Sequence, residues 1–325
     1  MMNHSLKKPF SFPSGTNLQG KWHKQNYTIV KELGYGANGI VYLAQSKSGY
    51  VALKMSDNSY SVTSEVNVLK AFSKASGTNL GPTLIDVDDW DIRGKVISFY
   101  IMEYVEGPDL LSFVKEKGYS WVPVLMLQLL NNLEQMHQAG WVFGDLKPDN
   151  LIITGSPYRI RCIDVGGTTI RGRAIKEFTE FFDRGYWGVG SRKAEPSYDL
   201  FAVGMIMINL AYKKRVEKQG GGVKQLQQLV NQKQELIPYK QVIMFALKGQ
   251  YQTAEKMRTN LLQIMSVDTS PKSINPRKGV PPQKKAHTTR QKRRKQSKVS
   301  SRLETLLVVI ILSVLYVLYI YGELL

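Results

Sequence analysis

One stretch constrains the chain more than any other: Gly144-Asp145-Leu146-Lys147-Pro148-Asp149-Asn150-Leu151-Ile152-Ile153, with Ile163-Asp164-Val165-Gly166 after it. A lysine stands two residues past Asp145, an asparagine five past it, and a second aspartate 14 beyond Asn150. Each falls in a tight loop beside a short apolar run that reads as a strand. The layout suits phosphoryl transfer. Asp145 can accept the proton of an attacking hydroxyl, Lys147 can neutralise the moving phosphate, and Asn150 and Asp164 offer hard oxygen ligands to Mg²⁺. A turn with incidental polar residues would need four coincidences in register.

Upstream, Gly34-Tyr35-Gly36-Ala37-Asn38-Gly39-Ile40-Val41 separates two strand candidates, Tyr27 to Leu33 and Ile40 to Gln45. Glycines there let backbone amides approach a phosphate. A third strand candidate, Tyr50 to Met55, contains Val51-Ala52-Leu53-Lys54, 15 residues past Gly39. A lysine in an apolar strand needs an opposite charge, and Glu65, 11 residues on, lies in a helix pattern through Ser64, Val66, Leu69 and Phe72. Strand candidates Thr83 to Val87 and Val96 to Tyr104 follow. Past Asp109 the pattern turns helical, over Trp121 to Gln138, Tyr198 to Lys213, Val223 to Gln232 and Ile237 to Met265.

Over residues 25 to 265 these elements, in this order, resemble the eukaryotic-type Ser/Thr protein kinases: Gly34, Gly36 and Gly39, then Lys54, Glu65, Asp145, Lys147, Asn150 and Asp164. The resemblance implies an α+β, bilobal protein-kinase fold with a small β-rich N-lobe and a helical C-lobe. ATP would lie in the cleft with Mg²⁺, or Mn²⁺ in its place. Val41 and Ala52 would flank the nucleotide, Met102 would be the gatekeeper, Glu103 and Val105 the hinge, and Asp109 would sit near the ribose. Asp145, Lys147, Lys54 and Glu65 take the catalytic positions, Asn150 and Asp164 the metal positions. His137 matches a structural histidine and Asp199 a buried aspartate opening the long C-lobe helix. Lys147 points to Ser and Thr hydroxyls of protein substrates. The C-terminal architecture looks most like the membrane-anchored kinases of spore-forming bacilli, which implies a role in sporulation.

Three departures stand out. Phe143-Gly144 replaces the His-Arg that usually precedes the catalytic aspartate, so a switch through that arginine and a phosphorylated loop should be absent or altered. Val165 stands where the family has Phe, which makes Phe143 with Val165 look like a volume-conserving exchange. The Ala-Pro-Glu closing the activation segment is not recognisable, since Ala194-Glu195-Pro196 lies too near Asp199. Thr168 and Thr169 are candidate autophosphorylation sites. Cys162, the single cysteine of the 325 residues, reads as a buried, inert thiol.

Charge is concentrated at the end. The chain has 44 Lys plus Arg against 26 Asp plus Glu, and residues 269–303 carry 12 of the basic residues and no acidic one. That segment is too poor in apolar residues to build a core. Thr305 to Gly322 then runs 18 residues without a charge, and residues 303–325 as a helix would span about 34 Å, enough for a bilayer. The expected organisation is an N-terminal extension (1–24), a kinase domain (25–265), a basic juxtamembrane segment (266–302) and one transmembrane helix (303–325). The positive-inside rule puts the kinase on the cytoplasmic side of the cell membrane.

Lys284, Lys285, Arg290, Lys292, Arg293, Arg294, Lys295 and Lys298 would meet an anionic surface. Non-specific DNA is the favoured partner and anionic lipid the other. No aromatic residue interleaves them, which excludes recognition by base stacking. The expected function is a membrane-anchored Ser/Thr kinase that autophosphorylates, self-associates as a homodimer and responds to DNA. The rivals are a pseudokinase scaffold, favoured by Phe143-Gly144 and Val165, and a small-molecule phosphotransferase.

Overall fold

The computed structural model describes residues 11–268, apart from Ala37 and residues 75–80. The expectations for residues 269–325, including the membrane span and the basic residues from Lys284 to Lys298, lie outside the described residues. Among the described residues no helix is long and apolar enough to cross a membrane.

The first part is an antiparallel sheet. Its strands are β1 (Asn17–Gln19), β2 (Asn26–Gly36), β3 (Gly39–Ser46) and β4 (Gly49–Ser56), then, after helix α1 (Ser59–Lys74), β5 (Leu84–Ile92) and β6 (Lys95–Glu103), in the order β1-β2-β3-β4-β6-β5. Successive side chains of a strand point to opposite faces. On β4, Leu53 and Met55 therefore enter one apolar cluster with Ile40, Tyr42 and Phe99, while Ala52 and Lys54 face the other way. On that second face Ala52 shares a cluster with Val62, Val66 and Leu69 of α1. The Asn58 side chain accepts from the amides of Tyr60 and Ser61 and so caps α1. The helix's inward stripe carries Glu65 along with its apolar neighbours, and this aims a carboxylate at Lys54.

β5 runs well past the expected Thr83 to Val87 because its aspartates, poor strand formers, are held. Asp88 accepts from the amides of Trp22 and His23, Asp89 from the hydroxyl of Ser98, and Asp86 from that of Tyr27. Part of the expected N-terminal extension is thus tied to the sheet, through β1 and through these bonds.

The second part is helical: α2 (Leu110–Lys117), α3 (Val122–Gln138), short strands β7 (Trp141–Val142), β8 (Leu151–Thr154), β9 (Arg159–Cys162) and β10 (Thr169–Ile170), then α4 (Pro196–Tyr212), α5 (Gly222–Gln232), α6 (Lys240–Leu247) and α7 (Ala254–Asp268). Helix α4 is buried from Pro196 to Ala211, as a helix apolar all round must be, and the others pack about it. The single helical run expected over Ile237 to Met265 is broken. A 3-10 turn precedes α6, and Gly249, at φ +66°, turns the chain before α7.

Candidate active site

A cleft of about 580 Å³ opens between the sheet and the helical part, lined from above by the β2–β3 turn and β4 and from below by the loops around β8. Of the residues expected at the nucleotide, Gly34, Gly36, Gly39, Val41, Ala52, Lys54, Met102, Glu103 and Val105 line it, together with Asp145, Lys147, Asn150 and Asp164. Asp109 does not. Its two carboxylate oxygens take the amide and hydroxyl of Ser112 and cap α2.

Lys54 and Glu65, both buried, form an ion pair at 2.7 Å. Asp164 lies 3.6 Å from the same ammonium. Burial works against the lysine's charge, but Asp164 and Glu65 outweigh it, and the ammonium is held above its ordinary pKa. Asp164, whose side chain is half-exposed at the cleft, moves the other way: partial desolvation opposes its charge, and Lys54 with the amide of Gly166 more than offsets it, so the carboxyl falls below the usual range. Tyr100, which the sequence did not single out, donates its hydroxyl to Glu65 at 2.6 Å from β6. Burial and that carboxylate push the phenol well up.

Below, the loop after β7 hangs from the first turn of α4. Asp199, fully buried, accepts the amides of Phe143 at 2.8 Å and Gly144 at 3.0 Å and pairs with Nε2 of His137 at 2.8 Å. The loop is thus anchored by two amides to a carboxylate on a helix buried along its length. Lys147 donates to the Asp145 carboxylate. Thr179 donates to Asp145 Oδ1 at 2.8 Å and accepts from Lys147 at 3.2 Å. The Asn150 amide donates to the main-chain oxygen of Asp145 at 2.9 Å, which leaves its own oxygen as an acceptor. Asp145 is therefore aimed by three neighbours, of which Thr179 was missed, since 34 positions separate it from its partner.

Among the three glycines of the β2–β3 turn only Gly39 is sterically required: at φ +123°, a Cβ there would stand 2.2 Å from the Met55 carbonyl oxygen. Gly34 and Gly36 face open space. At the tip, the Asn38 amide donates to Glu177, a half-buried carboxylate of the segment after β10 that also lines the cleft. Burial first, and then Asp164 and Glu65, raise its pKa against the pull of Asn38 and Lys54.

Thr168 and Thr169 are 0% and 1% exposed, and Thr169 is bonded to the Gly167 carbonyl. They are not accessible acceptors, which corrects that expectation. Cys162 is buried in the main core, and its thiol is pushed up to about 12 by desolvation, consistent with an inert side chain. Glu195 pairs with Arg184 and Lys193 at the entry to α4.

Two lobes about a cleft holding a lysine–glutamate pair, a braced aspartate and two hard-oxygen residues define a phosphotransferase of the protein-kinase class. Residues 27–274 match the protein kinase domain family, and the chain belongs to it. It is 57% identical over 265 residues to the serine/threonine-protein kinase YabT of Bacillus subtilis, a match covering 81% of this chain and 78% of that one. It is 28% identical over 141 residues to the probable serine/threonine-protein kinase CPE1738 of Clostridium perfringens, covering 42% of this chain and 20% of the other. The crystal structure of the Mycobacterium tuberculosis PknI kinase domain superposes with a TM-score of 0.57 at 18% identity, over 78% of this chain and all of that one, a likeness of fold. The protein is a serine/threonine protein kinase. The small-molecule phosphotransferase and pseudokinase readings give way to it.

The family implies ATP and a divalent metal, and the residues present fit both. Asp164 and the oxygen of Asn150 are hard ligands. With Glu65 and Glu177 nearby, the carboxylates outnumber Lys54, so a cation would relieve the excess.

Proposed function

We propose that this kinase works at the cytoplasmic face of a membrane, held there by residues 303–325, and that duplex DNA on its basic segment gathers copies for autophosphorylation. The observation that carries the catalytic part is Asp145 braced by Thr179 and Lys147 in one cleft with Lys54. In this reading Asp145 takes the proton of a substrate Ser or Thr hydroxyl as its oxygen bonds to the γ-phosphorus and the bond to ADP breaks. Lys147 steadies the moving phosphoryl group. Lys54, oriented by Glu65, pairs with the phosphates nearer the ribose, under the amides of the β2–β3 turn. Val41, Ala52, Met102 and the main chain of Glu103 to Val105 enclose the base. A divalent cation at Asn150 and Asp164 would offset phosphate charge.

The membrane and DNA parts are supported by sequence: 12 Lys and Arg without an acidic residue over 269–303 and, after Glu304, an uncharged apolar run. The test is phosphorylation of casein and of the chain itself by the full-length protein with Mg²⁺ and labelled ATP, wild type beside Asp145→Asn, with and without duplex DNA. Activity should vanish in the variant. DNA should stimulate at about 50 mM salt and fade by about 200 mM, as counterion release demands, and alanines at Lys292 to Lys295 should weaken that stimulation. Equal activity in Asp145→Asn would overturn the catalytic assignment. Stimulation by anionic vesicles but not by DNA would replace DNA with lipid as the partner.

A further inference from the structure

The phosphate end of the cleft is crowded by the chain's own side chains. Asn38, at the tip of the β2–β3 turn, donates its amide to Glu177 across 139 positions of sequence, joining the upper lobe to the segment after β10. The same Asn38 reaches inward. A Cβ placed on Gly166 would stand 3.3 Å from Asn38 Nδ2, 3.3 Å from Asp164 Oδ1 and 3.4 Å from Glu65 Oε1. Asn38, Asp164 and Glu65 thus converge on one small volume beside the Lys54 ammonium, and Glu177 adds a third carboxylate around that single cation. One residue before Glu177, Lys176 donates to Ser64 Oγ on α1, so the segment that carries Glu177 is tied to the upper lobe at two points.

A nucleotide's phosphates need this volume. They must approach Lys54 and the amides of the turn, and they cannot do so while Asn38 is drawn down onto a carboxylate of their own sign. We propose that the Asn38–Glu177 pair is a latch across the phosphate site, which the magnesium nucleotide must open in order to bind. The inference rests on the kinase reading and adds to it a conformational step with its own residues. Its consequence is arithmetical: if the unlatched form is a tenth of the population, the apparent affinity for phosphates is reduced about tenfold.

The experiment is calorimetric titration of the full-length chain with the non-hydrolysable ATP analogue adenylyl imidodiphosphate plus Mg²⁺, and separately with adenosine, for wild type, Asn38→Ala, Glu177→Ala and the double variant. Asn38→Ala changes no charge, so it separates the latch from simple repulsion by Glu177. Each single variant should bind the analogue about tenfold tighter, about 1.4 kcal/mol, and the double variant should gain little beyond either single one, because both remove one interaction. Adenosine, which has no phosphates, should bind all four proteins alike. Amide exchange in residues 34–39 of the nucleotide-free protein should quicken in both single variants.

Unchanged or weaker analogue binding by Asn38→Ala would overturn the latch. So would an equal gain for adenosine, which would mean a general loosening of the cleft. Absence of analogue binding in all four proteins would remove the kinase reading itself and the latch with it.

Discussion

Arg161 grips Glu103 with both ends of its guanidinium, Nη1 to Oε1 at 2.7 Å and Nη2 to Oε2 at 2.9 Å. The pair fastens the end of β6, where the chain leaves the sheet, to β9 in the helical lobe. Nη2 also donates to the Gly81 carbonyl, and Thr83 gives its amide and hydroxyl to the same carboxylate. The hinge glutamate thus turns its side chain to Arg161, while its own amide donates to the Thr83 carbonyl at 2.8 Å.

This staple makes a pH prediction. The Arg161 bonds, with those of Thr83, outweigh partial burial and hold the Glu103 carboxyl at about 2, below its ordinary 4.5. A depressed carboxylate contributes stability that is fully present above the unfolded value and is lost as pH falls through the folded one. Arg161→Met should therefore cost about 1 kcal/mol at neutral pH, at the low end for hydrogen bonds to charge because Glu103 is partly exposed. The difference from wild type should shrink between about pH 4.5 and pH 2. Urea unfolding at pH 7 and pH 3 reads both, and a variant whose deficit stays constant with pH would refute the assignment.

Gly144 stands where the family usually carries arginine, and the backbone explains it. Its φ is +86°, a Cβ would lie 2.6 Å from the Gly167 carbonyl oxygen, and its amide is fixed on Asp199. A side chain there must bear left-handed strain of about 1–2 kcal/mol as well as the clash. Gly144→Ala and Gly144→Arg should both lower the melting temperature and cut kcat more than tenfold. Restoring the family's arginine should therefore not restore its switch, and wild-type turnover in Gly144→Arg would show that the loop adapts.

Legibility in the sequence followed distance along the chain. Lys54, Glu65, Asp145, Asn150 and Asp164 were readable because the loops and strands that carry them have fixed lengths, so spacing encodes position. Tyr100 on Glu65, Thr179 on Asp145, Arg161 on Glu103 and Glu177 on Asn38 join residues 35, 34, 58 and 139 positions apart. Local pattern holds no record of such pairs. Asp109 caps α2 through Ser112, three residues on, a local role that its place before a helix pattern also encodes. The aspartates of β5 hid a strand because their partners, Trp22, His23 and Ser98, are supplied by other segments.

Val165 tests the volume exchange. It is 2% exposed and Phe143 1%, both in the main core. A Cβ on Gly81 would already lie 3.3 Å from Val165 Cγ1, so the space beside Val165 is full. Val165→Phe should overpack and cost about 1–3 kcal/mol, seen as a lower urea midpoint with an unchanged slope. Stability equal to wild type would mean that the cavity tolerates both rings and that the exchange is not one of volume.

Thr179 carries the last prediction, because its neutral hydroxyl bonds both the Asp145 carboxylate and the Lys147 ammonium. Its hydroxyl donates to one and accepts from the other, so it fixes the carboxylate at one angle and keeps the ammonium beside it. Thr179→Val preserves shape and removes both bonds. Each bond contributes about 1 kcal/mol, and misplacing the base by that much should lower kcat about tenfold. The KM for ATP should hold, since Lys54 and the β2–β3 turn are untouched. Thr179→Ser keeps the hydroxyl and should recover most of the rate. Steady-state kinetics on casein distinguishes the two, and equal kcat in Thr179→Val and wild type would mean that Asp145 is aimed by Lys147 and Asn150 alone.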